Sequence, residues 1–150
     1  MKTDIWSVHN YERDPQKLRE AFTFEHGKEP YRNTWGGKEW LAHYDGQPYM
    51  VDEFGGLAWI RESERKGNSW GYGSEIKSME DFYKILQDEV DALKDSKHVV
   101  GFCYTQLTDV EQEQNGIYYY DRTPKFDMKR IKAIFERIPS IIENPQDLSY

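Results

Sequence analysis

Three short runs rich in β-branched and aromatic residues, each followed further on by a stretch with helical spacing, constrain this chain most. The runs cover residues 3–9, 48–53 and 98–106. After the first, Asp14-Pro15 reads as an N-cap with proline at the first helical position, opening a short helix over residues 16–22. After the second, Ser78 caps a helix whose Phe82, Ile85, Leu86, Val90 and Leu93 share a face. After the third, Asp127 caps a helix presenting Met128, Ile131, Ile134, Phe135 and Ile138, and Pro139 ends it. Strand-then-helix alternation of this kind predicts an α/β fold with parallel strands and right-handed crossovers. Closing such a chain into a (β/α)8 barrel takes eight strands and about 250 residues. This chain has 150 residues and about three strands, so the expectation is a partial TIM barrel, one unit over residues 1–150. Its two sheet edges need partners. Either the chain is the end of a longer one, which is the expectation preferred here, or another chain supplies them.

Composition narrows the function classes. A net charge of −7 with no Lys/Arg run argues against nucleic acid, which is gripped by basic stripes. No apolar stretch approaches the ~20 residues of a membrane helix. The start, Met1 to Trp6, has no signal-peptide core, and the single cysteine excludes an internal disulfide. A cytoplasmic location is therefore expected. Cys103 lies in an apolar run and reads as a buried, inert thiol. No cofactor or metal is expected. The histidines lack ligand spacing, and the glycines of residues 67–73 fit neither a phosphate loop nor a dinucleotide fingerprint.

The chemistry points to one acid. In Met50-Val-Asp-Glu-Phe-Gly-Gly56 an apolar strand ends on Glu53, and two glycines follow at once. Carboxylates at the C-terminal ends of barrel strands are where that fold places its reacting groups. Glycines permit a sharp turn and leave room for a ligand. Strand alternation sends Asp52 and Glu53 to opposite faces. With Met50 and Asp52 outward, Tyr49, Val51 and Glu53 point towards the barrel axis. Retaining sugar hydrolysis needs a second carboxyl about 5–5.5 Å from the first. Glu12, Asp109, Glu111 and Glu113 are the acids available, and each reads as an ordinary solvated loop charge. The second carboxyl is expected outside the chain. His9 and Tyr11 at the first strand end, Tyr104 and Gln106 on one face of the third, and Trp70 in a glycine-rich loop are candidate substrate contacts. Simple packing serves each of them as an alternative.

The stretches Met50–Gly56, Gly101-Phe-Cys-Tyr-Thr-Gln-Leu-Thr-Asp109 and Asp109-Val-Glu-Gln-Glu-Gln-Asn-Gly116 resemble the late barrel sequence of glycoside hydrolase family 2, the β-galactosidase and β-glucuronidase family. The similarity runs from Asp4 to about Ile138. It implies strands six to eight of the barrel and matches Glu53 to the catalytic nucleophile. It also implies that His9-Asn10-Tyr11 borders the sugar pocket and that Tyr104 stands where many members place a Trp. The first five strands, the sandwich domains and the Asn-Glu acid/base motif are absent. The resemblance thus implies part of a retaining, β-galactosidase-like hydrolase acting on carbohydrate. The missing N-terminal barrel half and sandwich domains, or a partner chain supplying them, would complete it. A non-catalytic sugar-binding or complementing module is the other reading.

Overall fold

The computed structural model describes residues 3–24, 30–35, 38–39 and 42–141. The tail beyond residue 143, which its sequence predicts to be loosely held, lies outside the described residues. β1 (Trp6–Asn10) leads into α1 (Pro15–Ala21). The Asp14 carboxylate accepts from the Gln16 and Lys17 amides at 2.9 and 3.4 Å, which satisfies donors that the first helical turn leaves free. A small antiparallel pair, β2 (Thr34–Trp35) and β3 (Lys38–Glu39), follows where the sequence suggested only loop. β4 (Tyr49–Gly55) runs two residues past the expected end. α2 (Met79–Lys94) starts at Ser78, whose hydroxyl accepts from the Asp81 amide at 3.1 Å. β5 (Val99–Thr105) and α3 (Met128–Glu136) complete the chain, with the Asp127 carboxylate accepting from the Lys129 amide at 2.8 Å. The last helix stops two residues short of Ile138. There Lys94 on α2 donates to the Phe135 and Arg137 carbonyls at 2.5 and 2.6 Å, tying the helix end down. Ile138 falls outside the helix and is exposed.

The fold is α/β: three parallel strands in the order β1–β4–β5, with three helices. The apolar core lies between one sheet face and the helices. Trp6, Val8, Tyr49, Val51 and Phe54 from the sheet meet Leu18 of α1, Phe82, Leu86 and Leu93 of α2, and Ile131 and Ile134 of α3. The expected facing of β4 is reversed. Tyr49 and Val51 point into this core, where the Tyr49 ring packs on Trp6 and Phe22 at 5.4 and 5.9 Å between centroids. Met50 and Asp52 lie on the other face and are only half-buried. The helices, with Tyr31 and Tyr44 beside them, cover this face, so the large rings turn towards it. Cys103 corrects a second expectation. It is exposed, because its side of β5 has no covering element among the described residues.

The segment after β5 is fixed by a buried ion pair. Lys125 donates to Asp109 at 2.6 Å, with side chains 0% and 3% exposed. Its ammonium also donates to the Trp59 and Gln114 carbonyls at 3.1 and 3.3 Å, and Asp109 accepts from the Gly116 amide at 2.9 Å. Burial alone disfavours both charges; it pushes the Asp109 carboxyl up and the Lys125 ammonium down. Asp109 is therefore a structural anchor rather than the solvated loop charge expected from sequence. Lys125→Met is expected to cost about 3 kcal/mol, because it strands Asp109 as a lone buried acid. Urea unfolding measures this, and pairing the change with Asp109→Asn should recover much of the loss.

Candidate functional site

β1 and β4 run side by side, so their C-terminal ends bring His9, Asn10 and Tyr11 against Glu53 and Phe54; in the ladder His9 lies opposite Glu53. The register shifts between Val8 and His9, and again between Val51 and Phe54. Such a bulge re-aims side chains that strict alternation would send apart. Here it brings both acids to one imidazole. His9 Nδ1 lies 3.2 Å from Glu53 and His9 Nε2 lies 3.5 Å from Asp52. Asp52 and Glu53 therefore share a neighbourhood, contrary to the expected opposite facing. Glu53 and His9 are each about 40% exposed at the side chain, so the group is open to a ligand.

The hydroxyl of Tyr11 donates to Glu53 Oε2, and it lies 3.3 Å from the Thr105 hydroxyl on β5. Burial and the neighbouring Glu53 carboxylate push the Tyr11 phenol far above its ordinary range. The phenol consequently stays protonated and remains a donor to Glu53. Its ring is clamped by Tyr72, parallel within 2° at a centroid separation of 3.5 Å. Gly56 makes room for this stack: a Cβ there would lie 2.4 Å from the Tyr72 ring and 3.1 Å from Tyr11. Gly55 turns at φ +80°, and a Cβ would meet the Tyr104 ring at 2.3 Å. The sharp turn is as expected, but the room expected for a ligand at these two glycines is filled by the tyrosine rings. A cleft of about 450 Å³ opens beside Tyr11, walled by Asn10, Glu12, Lys17, Ala21 and Tyr31.

The remaining candidates sit further out. Tyr104 packs edge-on against Phe54 and Phe135, both with centroids within 6.5 Å. Its hydroxyl donates to the Asn115 carbonyl and accepts from the Leu57 amide, each at 3.2 Å. The ring is embedded under the Gly55 turn instead of being offered as an open platform. Gln106 donates to the Asn115 side chain at 2.9 Å. Trp70 is 44% exposed, meets Tyr72 edge-on at 5.6 Å, and pairs through its backbone with Gln112 and Gln114 at 2.8 Å. Glu53, His9 and Tyr11 are therefore brought together. Trp70 connects to them through Tyr72, Tyr104 packs against the Gly55 turn, and Gln106 binds Asn115.

Tyr72, Thr105 and Asp52 join the site without having been singled out from sequence. The glycines on either side of Tyr72 are the signal that could have found it, since a ring flanked by Gly71 and Gly73 is built for close backbone approach. Among the described residues there is no cluster of three or more His, Cys, Asp or Glu side chains able to hold a metal ion. No helix among them is long and apolar enough to cross a membrane.

No family model and no curated protein matches the chain. Among solved structures, the fold is similar to part of the crystal structure of a GH2 beta-galacturonidase from Eisenbergiella tayi bound to glycerol. The TM-score is 0.58 at 17% sequence identity, and the match covers 98% of this chain. The chain spans about a quarter of that protein, 25% of its length. At this identity the likeness speaks to the fold.

Proposed function

We propose that this chain is the nucleophile-bearing, C-terminal part of a glycoside hydrolase family 2 barrel, contributing strands six to eight of a retaining, β-galactosidase-like hydrolase. The single observation that carries the reading is Glu53. This partly exposed carboxylate stands at a parallel strand end, held by the Tyr11 hydroxyl and faced by His9 at 3.2 Å. Glu53 attacks the anomeric carbon, and the bond to the leaving oxygen breaks as an acid outside this chain protonates it. Water then releases the sugar from the covalent glycosyl-enzyme. Tyr11 fixes one carboxylate oxygen, so the other is free to attack. His9 and Trp70 border the carbohydrate. Gln106 closes the pocket wall, and Tyr104 serves by supporting the Gly55 turn. The likeness to a quarter of a GH2 enzyme supports this reading.

A second reading is a complementing module that docks on a separate N-terminal partner, or binds sugar, without turnover. The sheet face carrying exposed Cys103, which no element among the described residues covers, favours it. One experiment separates the two. The chain is mixed with, or joined to, a segment supplying strands one to five, treated with a mechanism-based fluorosugar, and mapped by peptide mass. The expected result is label on Glu53, present only in the assembled protein. Label on another acid overturns the assignment of Glu53, and assembly without any label favours the second reading.

A further inference from the structure

Glu89 occupies a position where an acid is costly. On α2 it falls in the stripe Phe82, Leu86, Glu89, Leu93, and it is 1% exposed. Among the described residues, neither of its oxygens has a hydrogen-bond partner. A buried polar group left in this way is destabilising unless it serves another purpose. The cation acting on it is Arg13, in the turn between β1 and α1. The other ionisable groups coupled to it are Asp88, its neighbour on the helix, and Tyr104 on β5. Asp88 is itself paired with Lys84, and Tyr104 is bound to the Asn115 and Leu57 backbone.

Arg13 is committed in another direction. It donates to the Ser74 carbonyl at 2.5 Å and to the Tyr72 carbonyl, while its buried Nε–H has no partner among the described residues. Gly73, between those two carbonyls, lies so close that a Cβ would be 2.9 Å from Arg13 Nε. A guanidinium is a rigid fork, so it cannot swing towards a new anion without loosening the contacts it already makes. The backbone it grips carries Tyr72, whose ring is stacked on Tyr11, and Tyr11 holds Glu53.

We propose that Glu89 and Arg13 are positioning residues for the Tyr11–Glu53 contact: the charge on Glu89 governs how Arg13 holds the backbone of residues 72–74, and through Tyr72 the seating of Tyr11. With Glu89 neutral, Arg13 belongs to the two carbonyls. With Glu89 ionised, the unpartnered Nε–H has a buried anion to face, and the grip on Tyr72 relaxes. Burial pushes the Glu89 carboxyl up to about 8, which puts the change within reach of an ordinary pH titration. The consequence for catalysis rests on the assignment of Glu53, whereas the coupling does not.

The test is an NMR titration of the isotopically labelled 150-residue chain from about pH 5 to about pH 10, following the Glu89 carboxyl, the amides of residues 72–74 and the Tyr11 ring. The expected result is one shared midpoint for all of them, lost from residues 72–74 and Tyr11 in Glu89→Gln. Arg13→Met should leave Glu89 titrating at a higher pH while residues 72–74 no longer follow it. A Glu89 carboxyl that titrates while residues 72–74 stay flat would overturn the proposal. So would an inflection at residues 72–74 that survives in Glu89→Gln, or a Glu89 carboxyl that fails to titrate in this range. The wild-type titration decides the matter even if a variant does not fold. A fluorosugar label on the wrong acid would sink the Glu53 assignment and leave this coupling standing.

Discussion

Glu53→Gln is expected to lower kcat/KM of the assembled hydrolase by roughly four orders of magnitude while leaving the thermal unfolding midpoint nearly unchanged. The substitution keeps the shape and a hydrogen-bond acceptor for Tyr11, but it removes the negative charge that makes the proposed nucleophile able to attack carbon. Glu53 is about 40% exposed and, among the described residues, its side chain is held by Tyr11 and His9 alone, so little stability should be lost. Glu53→Ala extends the test. It leaves a small cavity, and azide admitted there can attack the anomeric carbon from the face the carboxylate used. The product would be a glycosyl azide of inverted configuration. Azide product of retained configuration would instead mark Glu53 as the acid/base, and unchanged hydrolysis by Glu53→Gln would remove it from the reaction altogether.

The second large effect concerns stability and pH. Glu89 is held up to about 8 in the folded chain by its burial, opposed by Arg13 and reinforced by Asp88. In the unfolded chain it titrates at its ordinary value, 4.5. Below that value the group is protonated in both states and imposes no penalty. As pH rises between the two values, the folded state binds the extra proton. Stability then falls by about 1.4 kcal/mol per pH unit. Above the folded value the penalty levels off, at a total on the order of 5 kcal/mol. Glu89→Gln should therefore be equal to the wild type in stability near pH 4 and more stable at pH 9, with the gap opening between. Urea midpoints across that range measure it. Carboxylates held low by arginine, such as Glu75 beside Arg65 and Glu80 beside Arg130, act in the opposite direction and at lower pH. They are common to both proteins and cancel in the difference. A pH-independent gap would show that Glu89 is not neutral in the fold.

What could be read in advance was local. Asp14-Pro15, Ser78 and Asp127 announce helix starts because a cap is satisfied within three residues, and all three cap as expected. The three strands were legible because their apolar runs are bounded by turn residues. What was hidden depends on partners far along the chain. The bulge that unites Asp52 and Glu53 at His9 arises from how β1 and β5 meet β4, and no period-2 pattern contains it. Asp109 looked solvated because the lysine that neutralises it lies sixteen residues on. Cys103 looked buried because its neighbours are apolar, yet burial requires something on the far side of the sheet. Glu89 left a trace, since an acid at a heptad-like interval within an otherwise apolar stripe is an inconsistency worth pursuing.

Asn33 limits what can pair with the first strand. Its side-chain amide accepts from the His9 N–H and donates to the His9 carbonyl, both at 2.8 Å. A single residue thereby imitates the hydrogen bonding of a whole adjoining strand at that point. Any segment zipping onto this border must stop short of His9 or evict Asn33 first. The mimicry both discourages indiscriminate stacking of copies and marks how far an added strand can reach before it meets the His9–Glu53 end.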